Sequence, residues 1–172
     1  MEDLLDSSET FKLAVDSGYN HIIITNVDGV VLYANSAVER ITGYGLNEII
    51  GNNPRLWGQQ MSSEFYKSLW ETIKVKRLPF KGQIINKRKN GEKYIALATI
   101  SPIISNNGEL LGFIGTEDDI TELINARKDL EERSHDLEKM NTFMINREIR
   151  ISSLKNEVKE LKKKLGIYSN DD

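Results

Sequence analysis

The sequence predicts an α+β fold, in which a five-stranded antiparallel sheet carries short helices on one face and a long helix follows at the C-terminal end. Asp28-Gly29 and Asn90-Gly91 are turn sequences of the kind that join antiparallel strands. Runs rich in β-branched residues flank both turns. Eleven of the twelve glycines and all three prolines precede residue 120, so that no residue breaks a helix from Ile120 to Leu165.

Two strands open the fold after a short helix. Apolar residues at helical spacing predict a helix that ends at Gly18. The run 21–26 is short, apolar and rich in isoleucine, which predicts a buried strand. The strand 30–34 returns after the turn at Asp28-Gly29 and pairs with it.

Three helical segments come next. Short helices are predicted at 37–42 and 46–50, each followed by a glycine. A longer helix begins after a serine cap at Ser62 or Ser63 and ends before Pro79. Its inner face carries Phe65, Leu69, Trp70 and Ile73 at helical spacing.

The remaining strands form a meander. They are predicted at 80–89, 93–104 and 110–119, separated by the turns at Asn90-Gly91 and Asn106-Asn107-Gly108. An antiparallel sheet with helices on one face buries the apolar side of all five strands.

Composition excludes several classes of protein. The chain of 172 residues has no cysteine and a formal net charge of −3, which argues against thiolate metal sites and against a nucleic-acid binder. No apolar run reaches the ~18 residues of a membrane span, and the first residues are acidic where a signal peptide is basic. We therefore expect a cytoplasmic protein that contacts neither a membrane nor nucleic acid.

Seven motifs occur in a fixed order and spacing along the first part of the chain. They are 35–44, 46–51, 51–55, 65–70, 86–91, 100–102 and 115–121. This set resembles the PAS domain family, and the resemblance covers residues 9–122. It implies a sensory or dimerisation module with a small pocket between the sheet and the short helices. Asp119-Ile-Thr121, in the last motif, resembles the family's usual exit into a signalling helix.

The stretch 51–58 is similar to the flavin-binding motif of the light-sensing PAS subclass. Asn53 and Arg55 match positions that hold the cofactor in that subclass, and Asn86 matches an asparagine near the ring edge. Glu117 stands where the last strand usually carries a glutamine. The resemblance therefore implies FMN or FAD as a cofactor, at a site formed by these four residues.

Departures from that motif leave a second interpretation open. Pro54 replaces the cysteine that forms the photoadduct, so that a cysteinyl–flavin adduct is chemically excluded. Gly58 replaces a glutamine. Asn and Arg are also ordinary caps and ion-pair residues, and at this point a structural role, with a pocket that holds no cofactor, is the favoured interpretation.

The two histidines give no support for haem or a metal. A haem-binding PAS domain needs an axial histidine on the long helix, and 63–77 contains none. His21 lies at a strand start, and His135 lies in the C-terminal segment, where a solvated position is expected. No nucleophile–base pair or phosphate-binding glycine loop is present, so we predict no enzyme activity.

The C-terminal segment carries a heptad pattern, which predicts a coiled coil and hence a homodimer. A break near 141–146, with the helix folding back on itself, is the alternative. Apolar residues recur every seven positions at Leu123, Leu130, Leu137, Met144, Ile151, Val158 and Leu165; the positions three later are Ala126, Arg133, Met140, Arg147, Leu154 and Leu161.

We therefore predict three regions: a PAS sensory domain with its N-terminal helix at 1–120, a coiled-coil helix at 121–166, and a flexible terminus at 167–172. The expected function is that of a prokaryotic signalling module, homodimeric through both the PAS domain and the helix. It would relay the ligand or redox state of the pocket to an output domain or to a partner such as a histidine kinase. The alternative is a ligand-free structural adaptor.

Overall fold

The computed structural model describes residues 8–165, and its elements follow the predicted order. The terminus predicted at 167–172 lies outside the described residues. The chain divides into two compact units, one up to Glu122 and one from Leu123 onwards. The first unit contains the sheet and short helices, and the second contains the C-terminal helix.

Five antiparallel strands form one sheet in the order β2-β1-β5-β4-β3, which confirms the predicted fold class. The last strand therefore lies at the centre, between the first strand and the fourth. The strands are β1 His21–Asn26, β2 Val31–Ala34, β3 Phe80–Lys87, β4 Lys93–Ile104 and β5 Leu110–Asp119.

Strand β3 ends two residues before the predicted boundary at 89. Lys87 pairs with Lys93 at the end of the ladder, and the backbone N–H of Arg88 donates to the carbonyl of Glu92 at 2.8 Å. The residues that follow form the turn, in which Gly91 has a φ of 92°. Glycine adopts this left-handed conformation without the steric cost that a side chain imposes.

The helices are α1 Ser8–Asp16, α2 Ser36–Thr42, α3 Leu46–Ile49 and α4 Ser63–Trp70. Ser62 caps α4 as predicted, because its hydroxyl accepts from the backbone N–H of Phe65 at 3.2 Å. A wider π-type turn, Glu71–Val75, continues α4 and buries Ile73. Pro54–Leu56 form a short 3₁₀ turn between α3 and α4.

Asn35 occupies the cap position of α2 but its side chain makes no capping bond, contrary to the ordinary role of such a residue. The side chain is fully buried and holds three segments together. Its amide donates to the carbonyls of Val15 and Asn20, and its carbonyl accepts from the N–H of Ile22. Asn35 therefore joins α1 to the start of β1.

Two apolar clusters lie on the helical side of the sheet. The larger includes Trp57, which is 1% exposed, packed with Val31, Val38 and Ile49. The smaller consists of Leu69, Ile73 and Phe113, against which Phe65 and Trp70 pack while half-buried. The predicted inner face of α4 is thus confirmed, whereas the sequence analysis did not place Trp57 in the core.

Helix α5 runs without interruption from Thr121 to Lys164, a length of about 66 Å at 1.5 Å per residue. The alternative of a break near 141–146 is therefore wrong. The residues of the heptad pattern, from Leu123 to Leu161 on α5, are all exposed in the single chain. In the described part of the chain, no helix combines the length and apolar character that crossing a bilayer requires.

Candidate functional site

A cavity of about 480 Å³ lies between the inner face of the sheet and the segments that cover it. Most of its lining is apolar, because the sheet and the helical segments that cover it each turn apolar side chains toward it. These include Ile23, Trp57, Leu69, Ile73, Ile100 and Phe113. A space of this size and character is typical of a small-molecule site.

Small residues on the strand and the turn keep this space open. Gly115 lies on the inner face of β5, where a Cβ would stand 3.2 Å from the Cγ1 of Ile23. Gly29, at a φ of 77°, would place a Cβ 2.9 Å from the Nδ2 of Asn53 and 3.1 Å from Trp70. Both positions line the cavity, and larger side chains there would displace its walls.

One wall of the cavity is polar and centres on Glu117 of β5. Asn86 is 2% exposed, and its Nδ2 donates to Oε2 of Glu117 at 3.0 Å. The hydroxyl of Tyr94 donates to the same oxygen at 3.3 Å. Burial, together with the charge of Glu117, raises the pKa of Tyr94, so its hydroxyl remains protonated and available as a donor.

His21 lies behind this wall and is completely buried. Its Nδ1 is 3.4 Å from Oε2 of Glu117, its ring meets Trp57 edge-on, and neither ring nitrogen has a hydrogen-bond partner within the described residues. Burial lowers the pKa of His21 below its usual value, and the carboxylate of Glu117 opposes that shift. No group of three His, Cys, Asp or Glu residues suited to a metal occurs in 8–165.

The rim of the cavity is cationic. Arg55 and Lys67 both line it and are both exposed, and the side chain of neither has a recorded partner in the part of the chain that the structure describes. Asn53 also lines the cavity, but both of its polar atoms have partners. Its Nδ2 donates to the carbonyl of Gly29 at 3.0 Å, and its Oδ1 caps the N–H of Arg55 at 3.1 Å.

A chain of contacts leads from the polar wall to the start of α5. The guanidinium of Arg88 lies over the ring of Tyr94 at 4.5 Å and forms an ion pair with Asp119. Asp119 accepts from the N–H of Thr121 at 2.9 Å and from its hydroxyl at 2.6 Å. Burial opposes the ionisation of Asp119, but its bonds to Thr121 and Arg88 together hold its pKa below the usual value.

All four predicted site residues, Asn53, Arg55, Asn86 and Glu117, line this one cavity. Their role in binding a cofactor stays a prediction. The sequence analysis did not place His21, Tyr94 or Arg88 in the network beside the cavity. The one signal in the sequence that could have found His21 is a histidine at the start of an apolar strand. Its contact with Glu117 results from the pairing of β1 with β5, in which the two residues lie opposite each other.

Comparison with known proteins shows that the chain belongs to the PAS domain family, since residues 20–122 match the sequence profile of that domain. A nitrogen fixation regulatory protein of Klebsiella oxytoca is 36% identical over 112 residues, which are 64% of this chain and 22% of that protein. A blue-light-activated histidine kinase of Brucella canis is 30% identical over 122 residues, 69% of this chain and 25% of that protein.

The solved structure of an RNA-binding light-oxygen-voltage receptor matches with a TM-score of 0.65 and 23% identity, covering 76% of this chain and 39% of that one. At this identity the likeness concerns the fold. The chain spans about a quarter or less of the length of the two curated relatives. It is thus a PAS sensor domain followed by a long helix, related to regulatory proteins much longer than itself.

Burial of His21 predicts a loss of stability in acid. Its pKa in the folded chain lies below the 6.5 of the free side chain, so the unfolded chain binds a proton that the folded chain does not. The free energy of unfolding should therefore fall as the pH falls below about 6.5. Urea denaturation at two pH values should show a smaller fall in the free energy of unfolding for His21→Gln than for the wild-type protein. The control His135→Gln, exposed on α5, should behave as wild type; equal pH dependence in all three proteins would contradict the assignment.

Proposed function

We propose that this chain is a sensor module whose cavity binds a planar heteroaromatic cofactor of the flavin type, FMN or FAD. Its occupancy or redox state would be relayed through Asp119–Thr121 to α5. The observation that carries the proposal is the cavity of about 480 Å³, which joins an apolar interior to a polar wall and a cationic rim.

Each part of the cavity matches one part of such a cofactor. The aromatic and aliphatic lining suits the faces of a fused ring system. Asn86 and Glu117 offer hydrogen-bonding groups to a ring edge. Arg55 and Lys67, whose side chains have no recorded partner among residues 8–165, supply positive charge for a phosphate on the ribityl chain.

A further polar atom supports the presence of a ligand. Tyr66 lines the cavity, and its hydroxyl is buried without a hydrogen-bond partner in the described chain. A buried polar group without a partner costs about 1–3 kcal/mol, so such groups are uncommon in native structures. A polar atom of a bound cofactor would satisfy this hydroxyl.

The relay follows the contacts that lead away from the cavity. A change in the charge or position of Glu117 alters its bond to Tyr94, whose ring carries the guanidinium of Arg88. Arg88 in turn pairs with Asp119, which holds the first residue of α5. Signalling requires that this exit have two arrangements of similar free energy, one favoured by each state of the ligand.

The ligand-free adaptor is the other candidate. In its favour, Asn86, Tyr94 and Glu117 bond to one another, which keeps the polar wall ordered without a ligand. Against it stand the volume of the cavity and the free hydroxyl of Tyr66. We also propose that the chain works in the cytoplasm, and that it is a homodimer because its C-terminal helix carries the heptad pattern. The name of one curated relative supports a role within or beside a signalling protein such as a histidine kinase.

Replacing Asn86 by alanine should weaken FMN binding by about tenfold or more, because a buried hydrogen-bonding group is removed from the polar wall. Asn53→Ala should weaken it as well, since the cap that orients Arg55 is lost. Titration of the purified protein with FMN, followed by quenching of flavin fluorescence, measures both. Asn47→Ala, at an exposed position of α3, is the matched control. Full retention of affinity by both variants would place the ligand elsewhere.

A further inference from the structure

The polar wall directs its donors at a single carboxylate oxygen. The amide nitrogen of Asn86 lies 3.0 Å from Oε2 of Glu117 and 3.3 Å from the hydroxyl of Tyr94. Its two hydrogens are therefore both engaged. Tyr94 donates its hydroxyl hydrogen to the same Oε2. No donor of this wall remains for a molecule in the cavity.

Two acceptors are left. Neither Oε1 of Glu117 nor Oδ1 of Asn86 takes part in a recorded hydrogen bond within residues 8–165, and both side chains line the cavity. An ionised carboxylate accepts hydrogen bonds and cannot donate one. With Glu117 ionised, the polar wall therefore offers a ligand only hydrogen-bond acceptors. A ligand edge that bonds to the wall has to supply the hydrogen-bond donors.

The two oxygens of the Glu117 carboxylate differ in their hydrogen bonds. Oε2 alone receives Asn86 and Tyr94, whereas Oε1 has no partner in the described chain. The side chain of Glu117 is 14% exposed, so water reaches it only in part. A ligand N–H at Oε1 would complete its coordination.

His21 is the neighbour that responds to the charge of Glu117. Its Nδ1 stands 3.4 Å from Oε2, and β1 places it directly opposite Glu117 on β5. Trp57, its other recorded ring contact, is uncharged, and the cation of the network, Arg88, lies over the ring of Tyr94. The carboxylate of Glu117 therefore favours a proton on His21, against the opposing effect of burial on the pKa of His21.

We infer that Glu117, coupled to His21, selects the protonation form of the ligand: the cavity takes a planar heteroaromatic molecule that presents an N–H to Glu117 and Asn86. A molecule that presents only acceptors to this wall places them against the free oxygens of Glu117 and Asn86 and binds less tightly. The inference rests on the proposed function of the cavity and names the ligand edge that it recognises. Glu117 is a specificity-determining residue, and His21 a positioning residue that acts through it.

A pair of matched probes tests the selection. Lumiflavin has a single ring N–H in its oxidised form, and methylation of that nitrogen removes the donor. The wild-type protein should bind lumiflavin about tenfold or more tightly than the methylated compound at neutral pH, as expected for a hydrogen bond to a charged group. Glu117→Gln, which keeps the size and supplies a donor, should reduce this ratio several-fold.

The steric effect of the methyl group is the same for both proteins, so the change in ratio isolates the contribution of the carboxylate. Asp118→Asn, exposed on the neighbouring position of β5, is the control and should keep the wild-type ratio. An equal ratio for wild type and Glu117→Gln would overturn the selection by Glu117. Failure of every protein to bind lumiflavin would overturn the selection at the ring edge, whereas failure of the wild-type protein to bind FMN as well would overturn the proposed function itself.

An NMR titration of the ligand-free protein tests the coupling independently. The chain has two histidines, so the imidazole signals of His21 and His135 can be assigned by substitution. Glu117→Gln should move the titration midpoint of His21 to lower pH, because the favourable charge beside it is lost, and should leave that of His135 in place. An unchanged midpoint for His21 would overturn the pairing, whatever the outcome with lumiflavin.

Discussion

Replacing Trp57 by alanine should lower the free energy of unfolding by about 3–5 kcal/mol, the range measured for large-to-small changes at buried aromatic residues. Its side chain is 1% exposed, belongs to the larger apolar cluster and meets the ring of His21 edge-on. Removal of the indole would extend the existing cavity and leave His21 without one of its two recorded neighbours. Urea denaturation followed by circular dichroism measures the change.

Trp70 provides the matched control, since the chain has two tryptophans. Trp70 is half-buried, contacts Phe113 edge-on at 5.6 Å and lines the cavity. Trp70→Ala should therefore cost less, about 1–3 kcal/mol. If Trp57→Ala does not fold, Trp57→Phe should still be less stable than Trp70→Phe. Equal loss at the two positions would contradict the assignment of Trp57 to the core.

Deleting residues 123–172 should weaken self-association by at least about a hundredfold. The heptad residues of α5 are exposed in the single chain, and burying even two leucine layers in a dimer contributes about 3 kcal/mol or more. The deletion leaves the compact unit that ends at Glu122 intact. Analytical ultracentrifugation at about ten micromolar should show a dimer for the whole chain. The same dimer after deletion would show that α5 does not hold the protein together.

Point substitutions distinguish the seam, the row of heptad residues that would face a partner helix, from the rest of α5. Leu137 is a heptad position and is 67% exposed in the single chain, whereas Ile149 lies off the seam at 62%. Leu137→Ala should raise the dissociation constant of the dimer, and Ile149→Ala should leave it near the wild-type value. Equal effects of Leu137→Ala and Ile149→Ala would contradict the heptad assignment.

Arg147 places a charge among the apolar heptad residues. Replacing Arg147 by leucine should therefore raise the melting temperature of the dimer.

Local patterns were sufficient to predict the fold because the strong turn signals and the helical spacings lie within short stretches. Asn90-Gly91 predicts the β3–β4 hairpin, and Ser62 predicts the start of α4, with no long-range information. The absence of glycine and proline after residue 120 predicts α5. The strand order, with β5 at the centre, depends on packing of the whole domain and was not predicted.

The site was predictable in part for the same reason. Asn53, Arg55, Asn86 and Glu117 were proposed from motif positions, and the fold brings all four to one cavity. The burial of His21 against Glu117 could not be read from the sequence, since 96 residues separate them and the contact depends on the pairing of β1 with β5. Arg88 belongs to the basic run 87–89 beside a turn, which gives no sign of a partner, yet its ion pair with Asp119 joins the β3–β4 hairpin to the exit.

The most direct test of the central claim, that the cavity holds a planar cofactor, is native mass spectrometry of the purified protein before and after incubation with FMN and FAD. We expect one cofactor per chain, released on denaturation, with a yellow colour. Illumination should leave no long-lived cysteinyl adduct, because the chain has no cysteine. A protein that carries no ligand on purification, and that takes up neither FMN nor FAD at concentrations well above those of typical cofactor sites, would contradict the account and favour the ligand-free adaptor.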